Sequence, residues 1–194
     1  MKTLPNAGNS LYPEIPKCEN AQVETISRVD LAWLAGLVDG EGCIALYRDT
    51  QRSRLRAAVV IANTDARIIA KISKILYEAN IKYHYTLRKR KNFCLSITTI
   101  GFRSCKKLLE MVLPYLVGKK EQAKLMVEYL DYRIGLFQST TDQRRAANGW
   151  FVKTPEMQYG EIDEYYYNKM RELKTPPIDP QRLQRKASQP LQLR

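Results

Sequence analysis

Leu31-Ala32-Trp33-Leu34-Ala35-Gly36-Leu37-Val38-Asp39-Gly40-Glu41-Gly42 is the most informative stretch of this 194-residue chain. Its first eight residues are apolar and Asp30 offers a capping oxygen, so the pattern predicts a helix from about Leu31 to Val38. Ala32, Ala35, Gly36 and Gly40 carry so little side chain that a second helix can approach this one closely. A helix apolar nearly all round predicts burial on two sides, against its own core and against a partner. The glycines after it let the backbone leave the helix with positive φ. Asp39 and Glu41 stand at the helix C-terminus, where partial negative charge disfavours carboxylates. A hard cation such as Mg²⁺, which takes carboxylate and carbonyl oxygens, removes that conflict. On spacing alone, a core helix closed by an ordinary Asp-Gly-Glu-Gly turn accounts for the stretch equally well.

Charge placement adds the second observation. The chain carries a net charge of +12. Residues 48–107 hold 15 Lys or Arg against 3 acids, so this one stretch accounts for the whole excess. Concentration of this kind is the footprint of a protein that neutralises phosphates. With 44% hydrophobic and 27% charged residues, the composition is that of a globular chain. Neither a membrane-length apolar run nor the apolar stretch of a secretory signal is present, so an intracellular protein is expected, in an organelle or a prokaryotic cytoplasm. The four cysteines, Cys18, Cys43, Cys94 and Cys105, have no zinc or redox spacing and read as reduced. His84 is the one histidine, which excludes a His-pair mechanism or a His-rich metal site.

Outward from the opening stretch, residues 1–29 read as an N-terminal arm. Alternating and β-branched residues predict strands over Cys43–Arg48 and Arg52–Ala62. Asn63-Thr64-Asp65 then caps a helix with Ile68, Ile69, Ile72, Ile75, Leu76 and Ala79 on one face. Residues 81–99 predict a second hairpin, with His84, Thr86, Arg88 and Arg90 on a wet face and Tyr83, Tyr85 and Leu87 opposite. Helices follow from about Phe102 to Leu113, stopped by Pro114, and from about Lys119 to Phe137. The order α-β-β-α-β-β-α-α over 30–137 makes an α+β domain with a curved antiparallel sheet covered by helices on one side. Residues 138–174 form a C-terminal extension, with a turn at Asn148-Gly149 and a helix over Glu161–Leu173 whose period runs through Ile162, Tyr166, Met170 and Leu173. Residues 175–194 read as a disordered tail.

Leu34–Gly42 resembles the signature of the LAGLIDADG homing endonucleases, with six of nine letters identical and Val38, Gly40 and Glu41 as conservative replacements. The likeness in layout covers roughly residues 30–137. It implies the αββαββα core with a concave antiparallel DNA-binding sheet, and a site-specific double-strand DNA endonuclease that uses Mg²⁺ or Mn²⁺. Glu41 falls at the metal-ligating acid, the Gly40 carbonyl at a further ligand, and Asp39 at an acid of more structural role. Single-motif members form homodimers about their motif helices, which places Ala32, Ala35, Gly36 and Asp39 at the interface and implies a long pseudo-palindromic target.

Lys119 matches a lysine of the family's active-site pocket. A polar residue is expected where the second strand meets its helix, with Asn63 as the candidate and Ala62 as the alternative match. The sheet residues expected to read DNA are Tyr47, Asp49, Arg52, Arg54, Arg56, His84, Thr86, Arg88, Arg90 and Ser96. An RNA-binding intron maturase, with intron RNA as partner, and a cleavage-dead DNA-binding regulator are the alternatives on the same scaffold.

Overall fold

In the computed structural model the described residues are 26–49, 54–89, 93–141 and 159–174. Residues 1–25 of the arm, the Asn148-Gly149 turn, the tail, Arg52 and Arg90 lie outside them, as does the Arg88 side chain, while the last residues assigned to the arm open the first helix at Arg28. The elements are α1 (Arg28–Glu41), β1 (Gly42–Asp49), β2 (Arg54–Asn63), α2 (Ala66–Glu78), β3 (Tyr83–Lys89), β4 (Phe93–Thr99), α3 (Phe102–Val112), α4 (Lys120–Thr141) and α5 (Glu161–Lys174), with a 3-10 turn at Leu113–Tyr115. This is the expected α+β order. No helix among the described residues is long and apolar enough to cross a membrane.

The four strands form one antiparallel sheet in the order β1-β2-β4-β3. Register decides which residues share a face, because directly opposed residues point the same way. Tyr47 opposes Arg56, Val60 opposes Thr98, and His84 opposes Thr98 in turn. These residues and their alternate neighbours form the open face. Ile44, Leu46, Leu55, Ala57, Val59, Ile61 and Ile97 point to the other face, where α1, α2 and α3 pack and bury them. Each such Leu or Ile contributes about 1.5–3 kcal/mol by leaving water. Leu87, expected on the packed face, is 48% exposed on edge strand β3.

Helix α1 begins and ends differently from the sequence expectation. Ser27, not Asp30, is the N-cap: its Oγ accepts from the Asp30 N–H at 3.1 Å and donates to the Asp30 carboxylate at 2.7 Å. The helix continues through Gly40 to Glu41, and Gly42 is extended at φ −79° rather than left-handed. Glycine at 42 answers to space instead, since a Cβ there would lie 2.5 Å from the Val38 carbonyl oxygen and 2.7 Å from its Cα.

The end of α1 is clasped to the start of α4. The Asp39 carboxylate accepts from the backbone N–H groups of Val117 (2.7 Å), Gly118 (3.2 Å) and Lys119 (2.8 Å). Lys119 returns the contact, its ammonium donating to the carbonyls of Val38, at 2.9 Å, and Asp39. Both helix-end charges are thereby compensated within the chain: the carboxylate sits on unpaired amides where α4 begins and the ammonium on the last-turn carbonyls of α1. Burial alone would raise the Asp39 pKa. The N–H groups of Val117, Lys119 and Gly118, helped by the Lys119 charge, outweigh burial and hold the carboxyl below its ordinary value.

Helix α5 runs beside edge strand β1 and against α4. Its buried residues are Asp163, Tyr166 and Met170, so the inward face is turned from the one expected, and Ile162 and Leu173 are 49% and 38% exposed. The rotation is set by α4. Tyr129 Oη donates to Asp163 at 2.9 Å, Arg133 pairs with the same carboxylate at 3.5 Å, and the Gly160 N–H supplies a third donor at 3.0 Å. A carboxylate 2% exposed is tolerable because these donors replace its water. The Tyr166 hydroxyl reaches Glu128 at 2.8 Å, and burial with that carboxylate pushes its pKa up to about 12. On β1, Arg48 meets Glu164 and lies 4.7 Å over the Tyr167 ring.

Two measurements check the joint around α1. Gly42→Ala is expected to destabilise the chain by about 1–3 kcal/mol, since its Cβ meets backbone that cannot rotate away; urea denaturation would show a lower midpoint at unchanged slope. Because the folded-state pKa of Asp39 is depressed, its contribution is present above the unfolded carboxyl pKa and is lost as pH falls through the folded value. Asp39→Asn should therefore be less stable than the parent at pH 7, and the gap should close as pH falls below about 4. A gap independent of pH would contradict the clasp.

Candidate nucleic-acid interface and metal-binding end

The sheet face that the helices leave open forms a trough of about 710 Å³. Tyr47, Arg54, Arg56, His84, Thr86, Ser96 and Thr98 line it, and Phe102, Phe137 and Tyr159 wall one end. Alternation along β1 adds Asp49 to this face, opposite Arg54. Every described residue of the expected DNA-reading set thus belongs to one face. Arg48 is the neighbouring cation that does not, since strand parity turns it toward Glu164.

Within the trough the groups are not equally available. Arg56, His84 and Tyr47 are exposed. Arg54 is held 3.4 Å from Asp49, which orients its guanidinium across the hairpin. Ser96 departs from the expectation: it is 4% exposed and its hydroxyl donates to the Thr86 carbonyl at 3.2 Å. Its neighbours on β2 and β3 close over so short a side chain, so Ser96 is a poor reader of bases. Ala58, only 6% exposed, and half-buried Val60 give the trough an apolar floor between polar flanks.

The charge excess divides between the two sides of the molecule. On the helical side Arg67 pairs with Asp65, Lys71 with Asp30, Lys74 with Glu78, and Lys106 with Glu110 and Asp131. Exposed pairs of this kind add little stability, but they cancel much of the field on that face. The trough keeps more of its positive charge open to solvent, which is what attraction of a polyanion needs.

Glu41 lies at the C-terminal end of α1, on the last residue before β1, and is exposed. The last-turn carbonyls of a helix lack partners within it. Lys119 takes those of Val38 and Asp39, which leaves Gly40 as the backbone oxygen nearest in sequence to the Glu41 carboxylate. One free carboxylate beside one carbonyl is hard-oxygen chemistry that fits Mg²⁺ or Mn²⁺, with remaining ligands from water, phosphate or a second chain. No group of three or more His, Cys, Asp or Glu capable of holding a metal occurs among the described residues.

Three expected site residues are corrected by the structure. Ala35 is fully buried in its own core with Leu34 and Val38, about 100° around the helix from the exposed stripe of Ala32, Gly36 and Gly40, so it cannot meet another chain. The Asp39 carboxylate, expected at the interface, is engaged in the intramolecular clasp with residues 117–119. Asn63 opposes Leu95 on the helix-covered side of the sheet, and its Oδ1 accepts from the Asp65 N–H at 2.8 Å in the turn that starts α2. Ala62, opposite Ser96, occupies the corresponding place on the open face and brings no polar group to it. Gln122, one turn into α4, was missed by sequence reasoning; its amide donates to the Leu173 carbonyl at 3.2 Å and ties the end of α5 to this region.

Comparison with known proteins bears on the same residues. The family model described as LAGLIDADG endonuclease matches residues 34–141. The DNA endonuclease I-CvuI of Chlorella vulgaris is 33% identical over 110 residues, 53% of this chain and 65% of that relative. The chain thus spans just under two thirds of the relative's length. Among solved structures, I-CvuI bound to a DNA target is similar over 77% of this chain and 97% of its own at 24% identity and a TM-score of 0.45. An archaeal intron-encoded homing endonuclease, I-Vdi141I complexed with DNA, is similar over 75% and 97% at 13% identity and a TM-score of 0.46. The matched segment contains the whole sheet, all but the first turns of α1 and the whole of α4, and the chain belongs to the LAGLIDADG endonuclease family.

Proposed function

We propose that this chain is a site-specific double-strand DNA endonuclease that works as a homodimer with a divalent metal ion, Mg²⁺ or Mn²⁺. The observation that carries the reading is the pairing, in a member of this family, of an open cationic trough with an exposed Glu41 at the end of the motif helix. The trough has the character of a β-ribbon reader of the major groove. Arg56 and His84 are its most accessible polar side chains, and Arg54 is aimed by Asp49. Glu41 and the Gly40 carbonyl hold the ion, which when bound supplies Lewis-acid charge stabilisation and water activation at the scissile phosphate. Lys119 fixes the α1 carbonyls beneath that acid and so holds Glu41 at the trough margin.

The stripe Ala32, Gly36 and Gly40 supports the homodimer. Nothing lies within 4 Å of a Cβ built at Gly36 or Gly40, so this stripe is open in the single chain. Packing of two such stripes brings two Glu41 residues together, one for each DNA strand.

Incubating the protein and Mg²⁺ with supercoiled plasmids carrying a target library is expected to linearise a subset with one shared site. Glu41→Gln should abolish cleavage and leave duplex affinity unchanged, as measured by gel shift. Binding without nicking by the parent chain would instead mark a regulator. Gly36→Leu should keep the parent's circular dichroism spectrum, because the single chain has room for a Cβ there, and should shift the sedimenting species toward monomer. A normal dimer would remove the stripe from the interface.

A further inference from the structure

Lys174, the last residue of α5, ends beside the head of β1. Its ammonium lies 3.7 Å from Cys43 Sγ, and Cys43 is two residues beyond Glu41. Cys43 opposes Val60 and lies 3.9 Å from the Tyr47 hydroxyl, so the ammonium is on the trough side of β1. Two residues of chain span at most about 7 Å between Cα atoms, which places the Lys174 ammonium at the end of β1 that directly follows Glu41.

Other cations at this end of α5 have partners on the helix itself: Lys169 pairs with Glu172 at 3.1 Å, and Arg171 lies over the Tyr167 ring. Lys174 reaches off the helix to β1, and no carboxylate among the described residues lies within ion-pair distance of it. A thiol is a weak acceptor for an ammonium. The last turn is nonetheless held in place, by Gln122 on the Leu173 carbonyl and by the buried Asp163 and Tyr166 contacts further back. A fixed backbone with a cation at its tip that no carboxylate among the described residues engages is a pre-organised anion contact.

We propose that Lys174 binds a DNA backbone phosphate at or next to the one served by Glu41, so that α5, which lies outside the family-matched segment, completes the wall of the cleavage site. The proposal rests on the endonuclease reading above. Phosphates of one strand step about 3.4 Å along the duplex axis, so groups this close address the same or adjacent phosphates. A phosphate approaching the Glu41 carboxylate is repelled by it, and Lys174 offsets that repulsion from the β1 side.

The test compares the parent chain with Lys174→Ala and Lys174→Arg. On a random-sequence duplex, the plot of log affinity against log salt should be shallower for Lys174→Ala by about one per protomer, with Lys174→Arg restoring the parent slope. On a cleaved target, single-turnover cleavage by Lys174→Ala should fall by about tenfold, as for loss of one charge-assisted hydrogen bond. Melting temperatures should agree across the three proteins. An unchanged salt slope, or a loss of cleavage that tracks a lowered melting temperature, would overturn the assignment of Lys174. Failure of the parent chain to cleave any target, with the slope difference intact, would defeat the endonuclease reading and leave the phosphate contact standing.

Discussion

A carboxylate at the C-terminus of a helix meets the negative end of the helix dipole, and the joint between α1 and α4 is built around that constraint. Asp39 is removed from the conflict by three backbone N–H groups of residues 117–119. Lys119 places a full positive charge on the α1 carbonyls that would otherwise face the acids. With one acid neutralised and the dipole compensated, Glu41 remains exposed at the edge of the open sheet face. The position of the candidate metal end thus depends on a contact between segments about 80 residues apart in sequence.

The same joint orders the chemistry around it. Gly42 lets β1 leave α1 in contact with Val38, so the first residues of the sheet begin directly under the acid. Lys119 opens α4, and Gln122 one turn later grips the end of α5, which carries Lys174 back to β1. Three helix ends therefore converge on one corner of the sheet. Helix termini carry unpaired amides and carbonyls as well as side chains, so such a corner can hold ions of either sign without a long loop.

Charge is divided by topology rather than by sequence interval. The basic stretch 48–107 supplies cations to both sides of the sheet, because a strand alternates and a helix rotates its side chains. On the helical side most of them lie beside Asp30, Asp65, Glu78 or Glu110 and form pairs. On the open side Asp49 is the acid of the β1–β2 hairpin, and it serves to orient Arg54. The trough is therefore the part of the molecule whose charge remains directed at solvent.

The amino-acid pattern by itself determined the elements and the face of each strand. Period-two alternation and helical spacing are local properties, and His84 and Thr86 were assignable to one wet face from them alone, whereas Tyr47, Arg54 and Arg56 joined that set through the family resemblance. Glu41 was singled out by the resemblance of Leu34–Gly42 to the family signature, since spacing alone fitted an ordinary turn equally well. Only the tertiary structure decided what each polar group does. Ser96 shares the correct face yet is covered by its neighbours, Asn63 turns to the other side and closes a turn, and Ala35 belongs to the core although it is as small as Ala32. Asp163, which lies off the apolar period of its helix, is buried because Tyr129 and Arg133 come from α4 to meet it. Lys174 acquires a site because α5 folds back along β1. Burial and electrostatic partnership depend on which distant segments arrive, and no periodicity within a segment encodes that.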